Sequence, residues 1–226
     1  MKLSLPGYKE RVFFLGSNGS GKTVLASNML SYYPRFVAFD VKGDLEIPNS
    51  KAIVIKTPDD WRWQFYPNKY KRIIYRPRPE YASGPWLDYV LRKLYYLAQK
   101  RAKQSTSWFV VYLDEALFMA KTGSTKWMSA LAVSGRSLNV GLWITSQRPT
   151  WIPVEIRSEA WRTYVFYLKR KQDQKEIVDD SNGKVTYDIL NELGVDHSFL
   201  EIKRGKGGRT EVTHYPPLRL QEESTT

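Results

Sequence analysis

Residues Gly16 to Thr23 read GSNGSGKT and lie directly between the apolar run Val12-Phe13-Phe14-Leu15 and Val24-Leu25-Ala26, which can open a helix. A G-x-x-x-x-G-K-T pattern in this strand-to-helix context is a P-loop. It demands a strand that ends under a tight turn and a helix that begins at that turn. Gly16, Gly19 and Gly21 carry no Cβ, which lets successive backbone N–H groups close around phosphates. Ser17, Asn18 and Ser20 complete the cradle, Lys22 supplies a point charge to the β- and γ-phosphates, and the Thr23 hydroxyl is a ligand for Mg²⁺. The expected cofactors are ATP and Mg²⁺.

A partner motif follows far along the chain. Trp108-Phe109-Val110-Val111-Tyr112-Leu113 is the longest unbroken apolar run, and it ends in Asp114-Glu115. Such a run reads as a buried central strand of a parallel sheet, and ligands in these sheets bind outside the carboxyl ends of the strands. Asp114 is expected to hold Mg²⁺ through its water shell, and Glu115 to orient and polarise the attacking water. The competing reading is that the acids cap a following helix.

A third run, Val140-Gly141-Leu142-Trp143-Ile144-Thr145, ends in Ser146-Gln147-Arg148-Pro149. A Gln at a strand tip can lie near the γ-phosphate and report its presence. Upstream, Ser134-Gly135-Arg136-Ser137 sets an arginine on a loop before the strand. Arg136 is either a surface residue or a finger that reaches a neighbouring subunit's phosphates and stabilises transition-state charge.

The order GSNGSGKT, FVAFDVKGD (Phe36 to Asp44), WFVVYLDE and SGRSLNVGLWITSQRP (Ser134 to Pro149) resembles the FtsK–HerA superfamily of DNA-pumping P-loop ATPases. The resemblance covers roughly residues 10 to 168. It implies that Lys22 and Thr23 are the nucleotide and Mg²⁺ ligands, Asp114 and Glu115 the Walker B pair, Gln147 the sensor and Arg136 the finger, with Arg148 a second candidate finger. It also implies a homo-oligomeric ring, commonly hexameric, around double-stranded DNA. The expected core and extension are too short to include the membrane spans, N-terminal barrel or nuclease domain of larger relatives, so none of these is expected. The expectation within the superfamily is therefore a minimal genome-packaging ATPase of tailless, membrane-containing double jelly-roll viruses, acting in the host cytoplasm or at a capsid vertex. The alternatives are a filament-extrusion or conjugation-type motor, and a nucleotide-gated DNA-binding assembly protein with little hydrolysis. A small-molecule kinase is disfavoured, because the Asp114-Glu115 pair and Gln147 suit water activation.

Charge points to a polyanionic partner. Thirty-five Lys and Arg against 23 Asp and Glu give a formal +12, which suits sequence-independent binding to nucleic acid. One basic group, Lys69, Lys71, Arg72, Arg76 and Arg78, alternates with Tyr66, Tyr70, Tyr75 and Tyr81. A second is Lys169, Arg170, Lys171 and Lys175. A third, Lys203, Arg204, Lys206 and Arg209, surrounds Gly205, Gly207 and Gly208 at an expected hairpin tip. The absence of cysteine excludes disulfides and thiolate metal sites. No apolar stretch approaches the roughly 20 residues needed to span a membrane, so a soluble protein is expected.

These readings predict an α/β, three-layer P-loop NTPase of the additional-strand, catalytic-glutamate type. Its sheet should be mostly parallel, with a small C-terminal helical and β-hairpin extension. One domain is expected over residues 1–226: a core at about 10–168, an extension at about 169–220 and a disordered tail at 221–226. Periodicity predicts a helix over Pro85 to Lys103, whose Leu87, Val90, Leu91, Leu94, Leu97 and Ala98 form one stripe. Strands are expected at Arg11 to Leu15, Arg35 to Asp40, Ala52 to Lys56, Arg72 to Tyr75 and Trp161 to Leu168.

Overall fold

The computed structural model describes residues 3–102, 108–116 and 125–217. Within them lie β1 (Arg11–Leu15), β2 (Phe36–Asp40), β3 (Ile53–Ile55), β4 (Arg72–Tyr75), β5 (Phe109–Asp114), β6 (Val140–Ser146), β7 (Arg162–Val165), β8 (Phe199–Arg204) and β9 (Thr210–Tyr215). They form one sheet in the order β3-β4-β2-β5-β6-β1-β7-β8-β9. Every neighbouring pair is parallel as far as β7, and β8 and β9 add an antiparallel hairpin at that edge. β6 pairs with β1 on one side and β5 on the other. The strand that leads into Gln147 is thus inserted between the P-loop strand and the strand of the two acids, and the expected additional-strand architecture is the one adopted.

β1, β2, β5 and β6 are buried along their whole length, because helices cover both faces of the sheet. This explains why those strands read as continuous apolar runs rather than alternating ones. Successive side chains still point to opposite faces. Val12, Phe14, Ala38, Tyr112 and Trp143 meet Leu25, Met29 and Leu30 of α1 (Lys22–Ser31). Phe13, Leu15, Val37, Val111 and Ile144 share the opposite core with α2 (Gly84–Arg101), α3 (Lys126–Ser134), α4 (Val154–Arg157) and α5 (Lys171–Asp180). A last short helix, α6 (Tyr187–Asn191), precedes the hairpin.

The α2 stripe is buried at Leu87, Val90, Leu91, Leu94 and Ala98, each fully buried leucine contributing about 1.5–3 kcal/mol. Arg11 at the start of β1 is buried. It donates from Nε to Ala132 O at 2.6 Å and from a terminal nitrogen to Val133 O at 3.2 Å, so it caps the carbonyl end of α3.

Some expected boundaries differ. β7 pairs only over Arg162–Val165, because the chain then turns to α5. The Trp61 segment is a short 3-10 helix, Trp61–Phe65, started by Asp60, whose carboxylate accepts from Arg62 N–H. The predicted helix end at Lys103 and the predicted tail at 221–226 lie outside the described residues. The tyrosines expected on a basic, nucleic-acid-facing surface are partly a misreading. Tyr66 and Tyr75 are fully buried: Tyr75 ends β4, an inner strand between β3 and β2, and Tyr66, which follows the 3-10 helix, packs edge-on against Phe109.

Candidate active site

Parallel strands bring their carboxyl ends to one edge of the sheet. There the P-loop, Asp114-Glu115, Gln147 and the segment after β2 converge on a cleft of about 200 Å³, lined by Asn18 to Thr23, Lys42, Glu115, Thr145, Gln147 and His197.

Gly21 stands immediately before α1 with φ +96° and provides no side-chain cap. The first N–H groups of the helix, which have no carbonyl one turn back, are therefore left for an anion. Gly16 plays another part than the one expected. A Cβ there would come within 2.7 Å of both Phe166 Cβ and Ser20 Oγ, so its missing side chain makes room for the protein itself rather than for phosphate. The loop folds back onto the chain after β7, where Ser17 N–H donates to Tyr167 O at 2.7 Å.

Lys22 is buried, and its Nζ donates to Ser17 O at 2.7 Å. Burial pushes its ammonium down to about 8, with Glu115 opposing and Lys42 adding to the shift.

Asp114 is fixed by three hydroxyls. Thr23, Tyr112 and Thr145 each donate to its Oδ1 at 2.9 Å. Thr23 and Asp114 together form a hard-oxygen pair at the foot of the P-loop, and Mg²⁺ is ordinarily held by one or two such groups plus water and substrate phosphate. The residues fit that ion. Among the described residues there is no cluster of three or more His, Cys, Asp or Glu that could make an all-protein cage.

Glu115 has φ +62°, a backbone conformation that costs a side-chain-bearing residue about 1–2 kcal/mol. Its N–H donates to Thr145 Oγ1 at 2.7 Å. Its Oε2 accepts from Gln147 Nε2 at 2.8 Å and lies 3.9 Å from Lys42 Nζ. Of the seven buried side-chain polar atoms that lack a hydrogen-bond partner among the described residues, two are Glu115 Oε1 and Ser20 Oγ. Both belong to residues of the cleft wall, and orphaned buried polar atoms there are what a bound phosphate or an attacking water satisfies.

Beside this cleft is a more apolar one of about 220 Å³, lined by Gly21, Val24, Leu25, Asn28, Phe166, His197 and Phe199. His197, at φ +69°, borders both.

The two arginines separate. Arg136 is exposed, with its guanidinium 5.2 Å from the centre of the Trp161 ring. It is also near enough to Arg11 to add to the downward push that burial exerts on that group. Arg11 opens β1 and Trp161 precedes β7, so Arg136 lies at the amino-terminal edge of the sheet. The seven residues of β6 at about 3.3 Å each put roughly 20 Å between it and its own phosphate cradle. Arg148 stands on the nucleotide side, but its Nε donates to Asp173 Oδ2 at 2.7 Å and its guanidinium stacks 4.5 Å over Trp151. It fastens α5 to the strand tip.

The basic groups are likewise sorted. Arg76 is taken by the buried Asp40 at 2.7 Å, and Arg72 donates to Ser31 O at 3.2 Å, while Lys69, Lys71 and Arg78 are exposed. Lys169, Arg170, Lys171 and Lys175 are exposed on the P-loop side, where Lys169 N–H donates to Ser17 Oγ at 3.0 Å. The hairpin tip after β8 is beside Trp161, through Arg204 N–H to Trp161 O at 2.9 Å. It therefore shares the sheet edge of Arg136. Arg204 is anchored to Ser158 O and Asp180 O, and Lys203 and Arg209 are exposed.

Sequence reasoning missed Thr145, Lys42 and Tyr112. Thr145 read only as the end of an apolar run, and Lys42 lay inside the FVAFDVKGD segment with no role.

No protein-family model matches the chain. Over 181 residues it is 25% identical to the DNA packaging ATPase P9 of Enterobacteria phage PRD1, spanning 78% of this chain and 72% of that protein. This chain is a P-loop ATPase similar to viral genome-packaging ATPases. The fold agrees. The genome packaging NTPase B204 of Sulfolobus turreted icosahedral virus 2, solved with AMPPCP, superposes with a TM-score of 0.71 at 15% identity over 94% of this chain and all of that one. VirB4 of Thermoanaerobacter pseudethanolicus superposes with a TM-score of 0.66 at 10% identity, covering 94% and 90% of the two chains.

Proposed function

We propose that this chain is an ATP-driven motor that translocates double-stranded DNA into a viral capsid, working as a homo-oligomeric ring, most simply a hexamer, with Mg²⁺. In this reading Asn18 to Thr23 bind the triphosphate and the apolar cleft bordered by Phe166, Phe199 and His197 takes the base. Thr23 and Asp114 hold Mg²⁺. Glu115, oriented by Gln147 and Thr145, aligns a water for in-line attack on the γ-phosphorus and receives its proton. The motor works at a capsid vertex in the host cytoplasm.

The observation that carries the ring is the position of Arg136. It lies about 20 Å from its own cradle, on the far side of a parallel sheet, so a finger role is open to it only across a subunit boundary. The basic hairpin tip shares that edge, so an interface there would place DNA-facing charge and the finger on one moving surface. Similarity to packaging ATPases supports DNA as the substrate moved.

Two measurements test this. Hydrolysis should rise on adding duplex DNA of any sequence and lose that rise with salt as counterions are released; hydrolysis indifferent to duplex favours the gated assembly protein. Inactive Arg136→Ala subunits mixed with inactive Lys22→Ala subunits should recover activity, because some interfaces pair an intact P-loop with an intact arginine. No recovery in demonstrably mixed rings removes the shared site and turns attention to Arg148.

A further inference from the structure

We propose that Lys42 is a catalytic residue of this site: when ATP binds, it exchanges its loose contact with Glu115 for the γ-phosphate, and there it supplies positive charge to the oxygens on which charge develops. The proposal rests on the ATPase reading above and adds to it a residue that the P-loop and the two acids do not include.

The placement of Lys42 is built rather than incidental. β2 and β5 run side by side in a register that sets Asp40 opposite Asp114. Lys42, two residues past the end of β2, therefore emerges beside Glu115, one residue past the end of β5. The turn between them is held by Asp40, which is fully buried. Its carboxylate accepts from Gly43 N–H at 2.7 Å, from Leu45 N–H at 3.2 Å and from Arg76 Nε at 2.7 Å. A buried carboxylate with every one of these donors in place makes a rigid turn. Lys42 rides on that turn, and its side chain is 36% exposed, against 4% for Glu115. One partner of the pair is free to move and the other is not.

The pair itself is loose. At 3.9 Å it is at the limit of an ion pair, and a half-open pair of this kind is weak. Glu115 already has a closer partner on the same oxygen, Gln147 Nε2 at 2.8 Å. Lys42 also borders the cleft together with the cradle residues Asn18 to Thr23, and its charge is felt at Lys22. Two ammonium groups facing one cleft repel each other until an anion enters between them. A terminal phosphate brings more charge to Lys42 than a shared carboxylate oxygen does, and it lies where that carboxylate must act. The exchange of Lys42 from Glu115 to the γ-phosphate follows from those charges.

In the hydrolytic step the water oxygen bonds to the γ-phosphorus as the bond to the bridging oxygen breaks. The electron pair of that bond goes to ADP, and the water's proton goes to Glu115. Lys42 takes no proton. It contributes positive charge to the equatorial oxygens, where charge develops. ADP offers no γ-phosphate, so the Lys42–Glu115 contact persists with ADP.

The test separates γ-phosphate contact from loop structure. Dissociation constants for ADP and for the non-hydrolysable triphosphate AMPPCP are measured by titration calorimetry on the full chain with Lys42→Ala and Lys42→Arg, alongside kcat for ATP. Lys42→Ala should weaken AMPPCP about ten-fold or more, as for a lost hydrogen bond to a charged group, and leave ADP within about two-fold. Its kcat should fall about a hundred-fold, and Lys42→Arg should restore most of the AMPPCP affinity. A parallel loss of ADP and AMPPCP affinity overturns the proposal, since Lys42 would then only shape the loop. A raised kcat overturns it as well, since Lys42 would then only restrain Glu115. A wild-type chain that binds AMPPCP more tightly than ADP without turning over ATP would sink the motor reading, while the affinity comparison would still decide for or against Lys42.

Discussion

Replacing Thr145 with valine keeps the branched shape of the residue and deletes one oxygen. That oxygen accepts the Glu115 N–H at 2.7 Å and donates to Asp114 Oδ1 at 2.9 Å. Losing the first bond leaves a buried N–H unsatisfied, at about 1–3 kcal/mol. Losing the second removes one of three donors from a carboxylate that keeps Thr23 and Tyr112, so its cost is at the low end of the range for charged acceptors, about 1.5 kcal/mol. A net destabilisation of about 2.5–4.5 kcal/mol is expected, or about 5–18 °C in Tm for a chain of this size, against a total stability of about 5–15 kcal/mol. The chain should still fold. The effect on turnover should be larger than the effect on binding. Glu115 is held at φ +62°, and without the anchor on its N–H that conformation is free to relax. A shift of about 1 Å in a positioned catalytic group costs up to about a hundred-fold, so kcat should fall ten- to a hundred-fold while ADP affinity stays within about two-fold. Urea unfolding followed by tryptophan fluorescence, nucleotide titration and steady-state hydrolysis measure the three quantities. Lowered stability with unchanged kcat would refute the argument that Thr145 positions Glu115, and no change in either would refute the energetic reading of the hydrogen bonds as well.

Lys22 is pushed down to about 8, chiefly by burial, and only its charged form attracts phosphate. Affinity for Mg²⁺-free ADP should therefore decline by about ten-fold per pH unit above that value. Stability should move the other way: the unfolded chain holds the Lys22 proton up to the ordinary value of 10.5, so between about 8 and 10.5 it binds more protons than the native state, and this group's contribution to stability rises with pH. A flat affinity profile from pH 7 to 10 would contradict the burial of this ammonium. Gly16→Ala should abolish nucleotide binding and lower Tm by several degrees, because the new Cβ meets Phe166 Cβ at 2.7 Å and the overlap with Phe166 can be relieved only by shifting the loop off β7; a fully active alanine variant would show that the loop is not braced there. A Lys203→Glu, Arg209→Glu pair reverses two exposed charges at the hairpin tip; it should weaken DNA binding and flatten its salt dependence while leaving DNA-free ATPase turnover intact. Equal DNA affinity in a filter or anisotropy assay would return that loop to a solvated turn.

What was legible in the sequence is what neighbouring residues decide together. The P-loop, the apolar run ending in Asp114-Glu115, the run ending in Gln147 and the stripe of α2 each lie within one stretch of chain, where strand or helix periodicity and the chemistry of the turn are local properties. The additional-strand class could be read too, because that order of motifs resembles a known superfamily. The partners across strands could not. Thr145 is an undistinguished end of an apolar run until β6 is set beside β5, which brings its hydroxyl between Asp114 and the Glu115 N–H. Lys42 faces Glu115 only because β2 flanks β5 on the other side. The same non-local packing took Tyr66 and Tyr75 from the expected nucleic-acid surface into the core, and it tied the half-buried Arg72 and Arg76 to Ser31 and Asp40. It also put Arg136 and the hairpin tip on one edge and the P-loop on the other. Strand order is set by the crossovers that bury the most apolar surface, a sum over the whole chain, and no window of sequence contains it.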